Sequence, residues 1–328
     1  MTILVCGEAL VDLFVQTGPE GLATEAVLGG SPFNVAIGLA RLGARASFLG
    51  GISSDAFGDA IRARLSAEHV DLDHVVSSDQ LTTISVVALD AAGHPAYAFH
   101  GENKADRQIR VEDLPGALGP DVAAIVFGSY TLAVEPVASS HLALARREAG
   151  KRLISIDPNL RPTVTPDLAL WREQFAKFLP FATIIKASEE DLAAAFPGIA
   201  HQELAEAWFR QGVKLCVVTR GANGAMALRP GRSPLAVAGV TIDAVDTVGA
   251  GDSFHAALLA RLDQLGHLSP HAVSGMSDAT LADVVAFAVA ASAITCSRRG
   301  SAPPRLEEMT SGTISSFRET SAGATAQS

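Results

Sequence analysis

A chain of 328 residues that is 48% hydrophobic and only 18% charged carries enough apolar side chains to bury a large core. Its formal net charge of −10 and pI near 5.3 exclude nucleic acid as a partner, because phosphate backbones are gripped by surplus Lys and Arg, and no basic cluster exceeds Arg298-Arg299. The N-terminus lacks the basic n-region of a signal peptide, and the most apolar stretch, 284–296, is shorter than the roughly 20 residues of a bilayer span, so no membrane partner is expected.

The chain opens on a buried-strand run, ILVCGEA (3–9), after which residues 10–30 read as strands joined by turns. SPFNVAIGLARLG (31–43) has helical spacing, ARASFLGGIS (44–53) reads as a strand, and 55–69 as a helix. Residues 81–102 again read as paired strands, TTISVVALD and PAYAFH around an AAGH turn. From there strands at 123–129, 153–159, 183–188 and 215–219 alternate with helices at 133–150 and 201–212. That rhythm predicts an α/β fold, a mostly parallel doubly wound sheet with helices on both faces. Having no crossover helix, 10–30 and 81–102 are expected to form a small antiparallel β lid outside it. One domain over 1–308 is expected, with a disordered Ser/Thr/Ala/Gly-rich tail over 309–328. Cys6, Cys216 and Cys296 are far apart, as in a reduced cytoplasmic protein.

Two glycine turns lead directly into helices. In AVDTVGAGDSFHAALLARL (244–262), Asp252 could be an ordinary N-cap. Alternatively the amides of Gly249, Ala250 and Gly251 face an anion while Asp252 acts on a neighbouring hydroxyl. In GGSPFNVAIGLARLG (29–43), Gly30 could merely permit positive φ, or could let a polyhydroxylated ligand approach bare backbone beside the Asn34 amide. Asp12, set among apolar residues of a lid strand, needs a partner, and a pair of sugar hydroxyls would supply one. DPNLRP (157–162), KASEEDL (186–192) and TRGANGA (219–225) each read singly as a turn, a helix start and a hairpin loop. All of them fall at the carboxyl edge of the same sheet, where ligands collect in open α/β folds.

Several chemistries lack their signatures. There is no G-x-x-x-x-G-K-[ST], no G-x-G-x-x-G after the first strand and no G-x-S-x-G, and the nine histidines show no zinc spacing. A dinucleotide-dependent oxidoreductase is thereby disfavoured. A non-catalytic sugar binder would have no need of an acid after GAG.

GGSPFNVAIGLARLG and DTVGAGDSF together resemble the two signature regions of the ribokinase-like (PfkB) carbohydrate kinases, over about residues 3–305, and DPNLRP, KASEEDL and GENKADR (101–107) are most similar to the fructokinase branch. The resemblance implies an ATP-dependent kinase that phosphorylates a primary hydroxyl of a small sugar, D-fructose first, with 2-keto-3-deoxygluconate kinase as alternative and nucleoside kinase third. It implies Asp252 as base and the amides from Gly249 through Ala250 and Gly251 to Asp252 as anion hole. Asp12, Gly30 and Asn34 would hold the sugar, Phe99 would cover it, and Arg161 would lie near phosphate or sugar. Ser188, Thr219, Gly221 and Gly224 would belong to the nucleotide pocket. Asp246 and the Val248 carbonyl, closed by backbone around Thr295 and Gly300, would border K⁺. The family's N-x-x-E motif, which orders water around Mg²⁺, is replaced by Ser188 and Asp191 with Glu189 and Glu190 between, which leaves open which acid orders the water, Asp191 being the shorter acid at the matching position. A homodimer through the lid is a further expectation.

Overall fold

The computed structural model describes residues 1–18, 21–89 and 95–309; the AAGH turn at 91–94 and the tail from 310 onward lie outside the described residues. Strand β1 (Thr2–Cys6) is wholly buried and is followed by β2 (Leu10–Gly18), β3 (Gly21–Gly29) and helix α1 (Ser31–Arg41). The expected strand over 44–53 is two strands, β4 (Arg45–Leu49) and β5 (Gly51–Ser53). They divide at Gly50, where a Cβ would lie 2.5 Å from the Gly7 carbonyl oxygen, so the chain must bend away from the sheet there. Helix α2 (Ala56–Ala67), β6 (Val76–Ser78), β7 (Ile84–Leu89) and β8 (Pro95–His100) follow. Then come β9 (Val122–Gly128), α3 (Val137–Glu148), β10 (Leu153–Asp157), α4 (Leu168–Phe178), β11 (Ile184–Ser188) and α5 (Glu189–Ala195). The chain closes with α6 (His201–Phe209), β12 (Leu215–Thr219), β13 (Ala225–Leu228), β14 (Leu235–Val237), α7 (Ala250–Gln264), α8 (Pro270–Ser274) and α9 (Asp278–Cys296).

The main sheet has the order β14-β13-β12-β11-β10-β9-β1-β4, parallel from β4 to β12 with an antiparallel edge at β13 and β14. Because β1 feeds β4 on one side while β9 lies on its other side, the strand order reverses between β1 and β9, the place where such sheets open a crevice. One face is packed by a core that includes Phe33, Leu39, Phe254, Leu258 and Val285, the other by one that includes Phe127, Leu144, Trp171, Phe175 and Trp208. Helix α9 is apolar all round and, at 19 residues, is longer than the 284–296 stretch read from the sequence, so length alone does not exclude a span. Its hydrophobicity is accounted for by burial: Leu281, Val284, Val285, Ala288 and Ala291 are fully enclosed.

The lid is a second sheet of order β3-β2-β7-β8. Its two hairpins, β2/β3 and β7/β8, are antiparallel, and they join through a parallel pair, β2 with β7. That pairing sets Asp12 opposite Ser85 and, across the next strand, Ser85 opposite Phe99.

Candidate active site

Helix α7 starts at Gly249, whose φ of 74° is left-handed and whose Cβ, were there one, would lie 2.5 Å from that of Ser301. No side chain caps this end, and Ala250 and Gly251 line a cavity of about 730 Å³. Asp252, buried in the first turn, does not cap the helix. Its two oxygens instead receive the Ser31 hydroxyl at 2.6 Å and the Asn34 side-chain amide at 2.8 Å, both from α1. Burial pushes its carboxyl above the usual range, those two hydrogen bonds pull it back, Asp157 raises it further and Lys186 lowers it.

Lys186 and Asp157 form a buried ion pair, Nζ to Oδ2 at 2.7 Å, directly beneath the turn. The ammonium lies 3.1 Å from where a Cβ on Gly251 would stand, so a positive charge adjoins the uncapped amides. Below it, Ser155 and the His255 ring are 2.7 Å apart, and burial holds His255 down to about 3, so this imidazole is neutral. Asp191 is raised by burial and by the Asp157 charge, and it accepts the Leu160 amide at 3.1 Å. The charge of Arg161, whose guanidinium donates to the Leu160 carbonyl at 3.0 Å, lowers both Asp191 and Asp12.

On the lid side, burial raises Asp12 while a hydrogen bond from Ser85 and the charge of Arg161 lower it. Gly29 gives this carboxylate room, since a Cβ there would come within 2.7 Å of Oδ2. Gly30 has φ 109°, and a Cβ would meet the Glu8 carbonyl oxygen at 2.7 Å, so glycine is required at that close approach. Phe99 packs edge-on against Tyr130 at 5.4 Å, and the Arg107 guanidinium stacks on both rings at 5.1 and 5.2 Å. Asp106 beneath them accepts the hydroxyls of Thr83 and Tyr130.

Ser188, Thr219, Gly221, Gly224 and Asp191 line the cavity with Asn159, Arg161 and Lys186, as do Val240, Ile242, Phe254 and Val289. The lining is thus part polar and part apolar. Ser188 caps α5 through the Asp191 amide. The Asp246 carboxylate accepts the amides of Val248 at 3.0 Å and Gly300 at 2.8 Å, closing one loop. The Thr295 hydroxyl bonds Ser253 and the Ala291 carbonyl, and beside it in the backbone the Cys296 carbonyl receives the amides of Val245 and Asp246. Among the described residues no group of three His, Cys, Asp or Glu could hold a metal ion unaided.

Sequence reasoning missed Lys186, Ser31 and Glu8. A lysine inside the apolar run TIIKAS was the available signal, because an amine so placed needs an anion. Ser31 and Glu8 gave none, since serine beside a turn and a glutamate after a strand are ordinary.

A family model described as pfkB family carbohydrate kinase matches residues 2–309. The chain belongs to the PfkB family of carbohydrate kinases. It is 37% identical over 282 residues to a fructokinase of Rhizobium leguminosarum bv. trifolii, covering 85% of each chain, and 36% identical to a fructokinase of Salmonella typhimurium over 79% of this chain and 84% of that one. Among solved structures, fructokinase with bound ATP from Xylella fastidiosa superposes with a TM-score of 0.86 at 26% identity, covering 98% of this chain and 99% of that one. A Vibrio cholerae fructokinase with fructose, ADP and calcium ion bound gives 0.75 at 28% identity over 96% and 98%. This PfkB kinase is therefore a sugar kinase, a phosphotransferase with an alcohol group as acceptor.

Proposed function

We propose that this sugar kinase is an ATP-dependent fructokinase with Asp252 as its general base. The observation that carries the reading is the Asp252 carboxylate itself, held by Ser31 and Asn34 of α1 and standing at the uncapped start of α7 beside Lys186. Phosphoryl transfer has a loose transition state, so positioning and charge stabilisation do most of the work. A sugar hydroxyl held by Asp12, Gly30 and Asn34 under Phe99 would give its proton to Asp252 as its oxygen bonds the γ-phosphorus. The bond from that phosphorus to the β–γ bridging oxygen breaks and ADP leaves. Charge on the transferred group would meet the amides of Gly249, Ala250, Gly251 and Asp252 together with the Lys186 ammonium. Burial and Asp157 raise the base toward the working pH, while its two hydrogen bonds keep the ionised form accessible.

The cavity suits ATP, with the apolar Val240, Ile242 and Val289 available to an adenine and Ser188, Thr219, Gly221 and Gly224 in the same wall as Ala250 and Gly251 of α7. The Asp157 charge raises Asp191, and the two carboxyls suit Mg²⁺ held through water, which would neutralise phosphate oxygens. The loop of Asp246, Val248 and Gly300 carries a single carboxylate and suits a monovalent cation such as K⁺. With the Thr295 hydroxyl bonded to Ser253, backbone carbonyls rather than that side chain would border it. Exposed Phe14 and Leu22 on the lid, 40% and 70% open, favour a homodimer through that surface. Three free thiols accord with a cytoplasmic setting.

Fructose is favoured over 2-keto-3-deoxygluconate because the relatives matched over most of the chain are fructokinases, while Arg161, exposed on the cavity wall, is the cation that a keto-acid carboxylate would take. A coupled ADP-release screen across ketoses, aldoses, keto-deoxy acids and nucleosides tests the reading, with fructose expected to give the highest kcat/KM. A tenfold or greater preference for the keto-deoxy acid would hand Arg161 a carboxylate and the enzyme the other name.

A further inference from the structure

We propose that Ser301 is a positioning residue for phosphoryl transfer, acting on the base through Asn34. This rests on reading Asp252 as the base. After α9 the chain crosses the start of α7 and runs along α1 from its first turn to its C-terminal end. The Gly300 amide bonds Asp246, the Ser301 backbone lies against Gly249, and the Pro303 carbonyl accepts Arg41 Nη1 of α1 at 2.9 Å. Between these anchors the Ser301 hydroxyl donates to Asn34 Oδ1 at 3.2 Å, and Asn34 Nδ2 donates to Asp252 Oδ2 at 2.8 Å.

An asparagine amide has two ends of nearly equal shape and opposite polarity. With Oδ1 supplied by Ser301, the orientation that turns Nδ2 toward Asp252 satisfies both ends, and donation into the carbonyl strengthens the N–H as a donor. Asn34 is buried, only 9% exposed, so an oxygen deprived of this hydroxyl has little water to replace it. The second Asp252 oxygen is fixed separately by Ser31, whose own amide donates to Glu8 Oε1 at 3.2 Å. Losing Ser301 would loosen one of two anchors, leaving a carboxylate free to swing about the other.

The test is Ser301→Ala, with kcat expected to fall roughly threefold to tenfold, the factor for one neutral hydrogen bond, while KM for ATP stays within about twofold and KM for fructose, which Asn34 would also hold, rises by less than kcat falls. Because the Asn34 hydrogen bond lowers the base, weakening it should move the acid limb of the kcat profile to higher pH. The other charges facing Asp252, Asp157 from β10 and Lys186 from β11, are unchanged by the substitution. In an Asn34→Ala background the same substitution should leave kcat unaltered, and Ser301→Thr, which keeps the hydroxyl, should restore the wild-type limb. An unmoved kcat and acid limb in Ser301→Ala, in an enzyme that Asp252→Asn silences, overturns the inference alone. Equal losses with and without Asn34 make the role structural and also overturn it. Full turnover in Asp252→Asn removes the base and this inference together.

Discussion

Helices α1 and α7 begin alike and end up with opposite duties. Each starts at a glycine in the positive-φ region, Gly30 at 109° and Gly249 at 74°, and neither has a side-chain cap, whereas α2, α4, α5, α8 and α9 are capped by Asp55, Asp167, Ser188, Ser269 and Ser277. At α1 the first amide is taken by Glu8 from inside the protein. At α7 the first turn opens onto the cavity. The same device therefore fixes a helix where a buried carboxyl fills it and offers donors to a ligand where nothing does. The acid of α7 then points across to α1, so the two starts form one site.

Breaking the α7 side should cost most in rate. Asp252→Asn is expected to lose about 10²–10⁴-fold in kcat, the scale of a positioned base, with sugar and ATP binding nearly unchanged. Steady-state kinetics beside calorimetric binding would show this, and a near wild-type kcat would end its assignment as base. The melting temperature should be no lower than in the wild type, since a buried carboxyl is replaced by a neutral amide.

Lys186→Met comes next, because it separates charge at the anion site from stability. Alone it strands Asp157 in the interior and should cost about 3–5 kcal/mol. Paired with Asp157→Leu, stability should largely return while kcat remains about tenfold or more below wild type. Recovery of both would make the ion pair purely structural.

The glycines sharpen the comparison directly. Gly30→Ala drives a Cβ toward the Glu8 backbone oxygen at a φ of 109°, far from the left-handed well at about 57°, whereas Gly249→Ala, at 74° close to that well, meets the Cβ and backbone Cα of Ser301. Both should lose about 1–3 kcal/mol to strained φ, Gly30→Ala the more, while Gly249→Ala should lower kcat the more. Melting temperatures and turnover measured on the pair would reveal the reverse order if the helix starts were equivalent.

The smallest effect concerns pH. Burial lifts Glu8 from 4.5 to about 8, so the folded protein keeps this proton over a range where the unfolded chain releases it. The protonated Glu8 contribution is fully present below about 4.5, falls as pH climbs, and is lost by about 8. Denaturant midpoints across that window should decline for the wild type and decline less for Glu8→Gln, and identical slopes would show Glu8 to be ionised throughout.

What the sequence determined by itself is considerable. The alternation of apolar runs and amphipathic helices carries the doubly wound sheet, because strand and helix periods are local properties of a chain. The α7 glycine turn, DPNLRP and TRGANGA marked residues that line the cavity, because turn chemistry is local as well. Other features depended on folding. The bend at Gly50 arises from the approach of Gly7, a residue some forty positions away, and the parallel pairing of β2 with β7 joins hairpins that the sequence shows only separately. Whether Asp252 capped its helix or faced outward was undecidable from GAGD, since a first-turn acid serves either role. The hydroxyl of Ser31 and the amide of Asn34, delivered by a helix more than 200 residues earlier, settled it. The Lys186–Asp157 pair and the Ser301–Asn34 contact have the same character: each partner is an ordinary residue in its own segment, and only the packing of one segment on another gives the pair its energy.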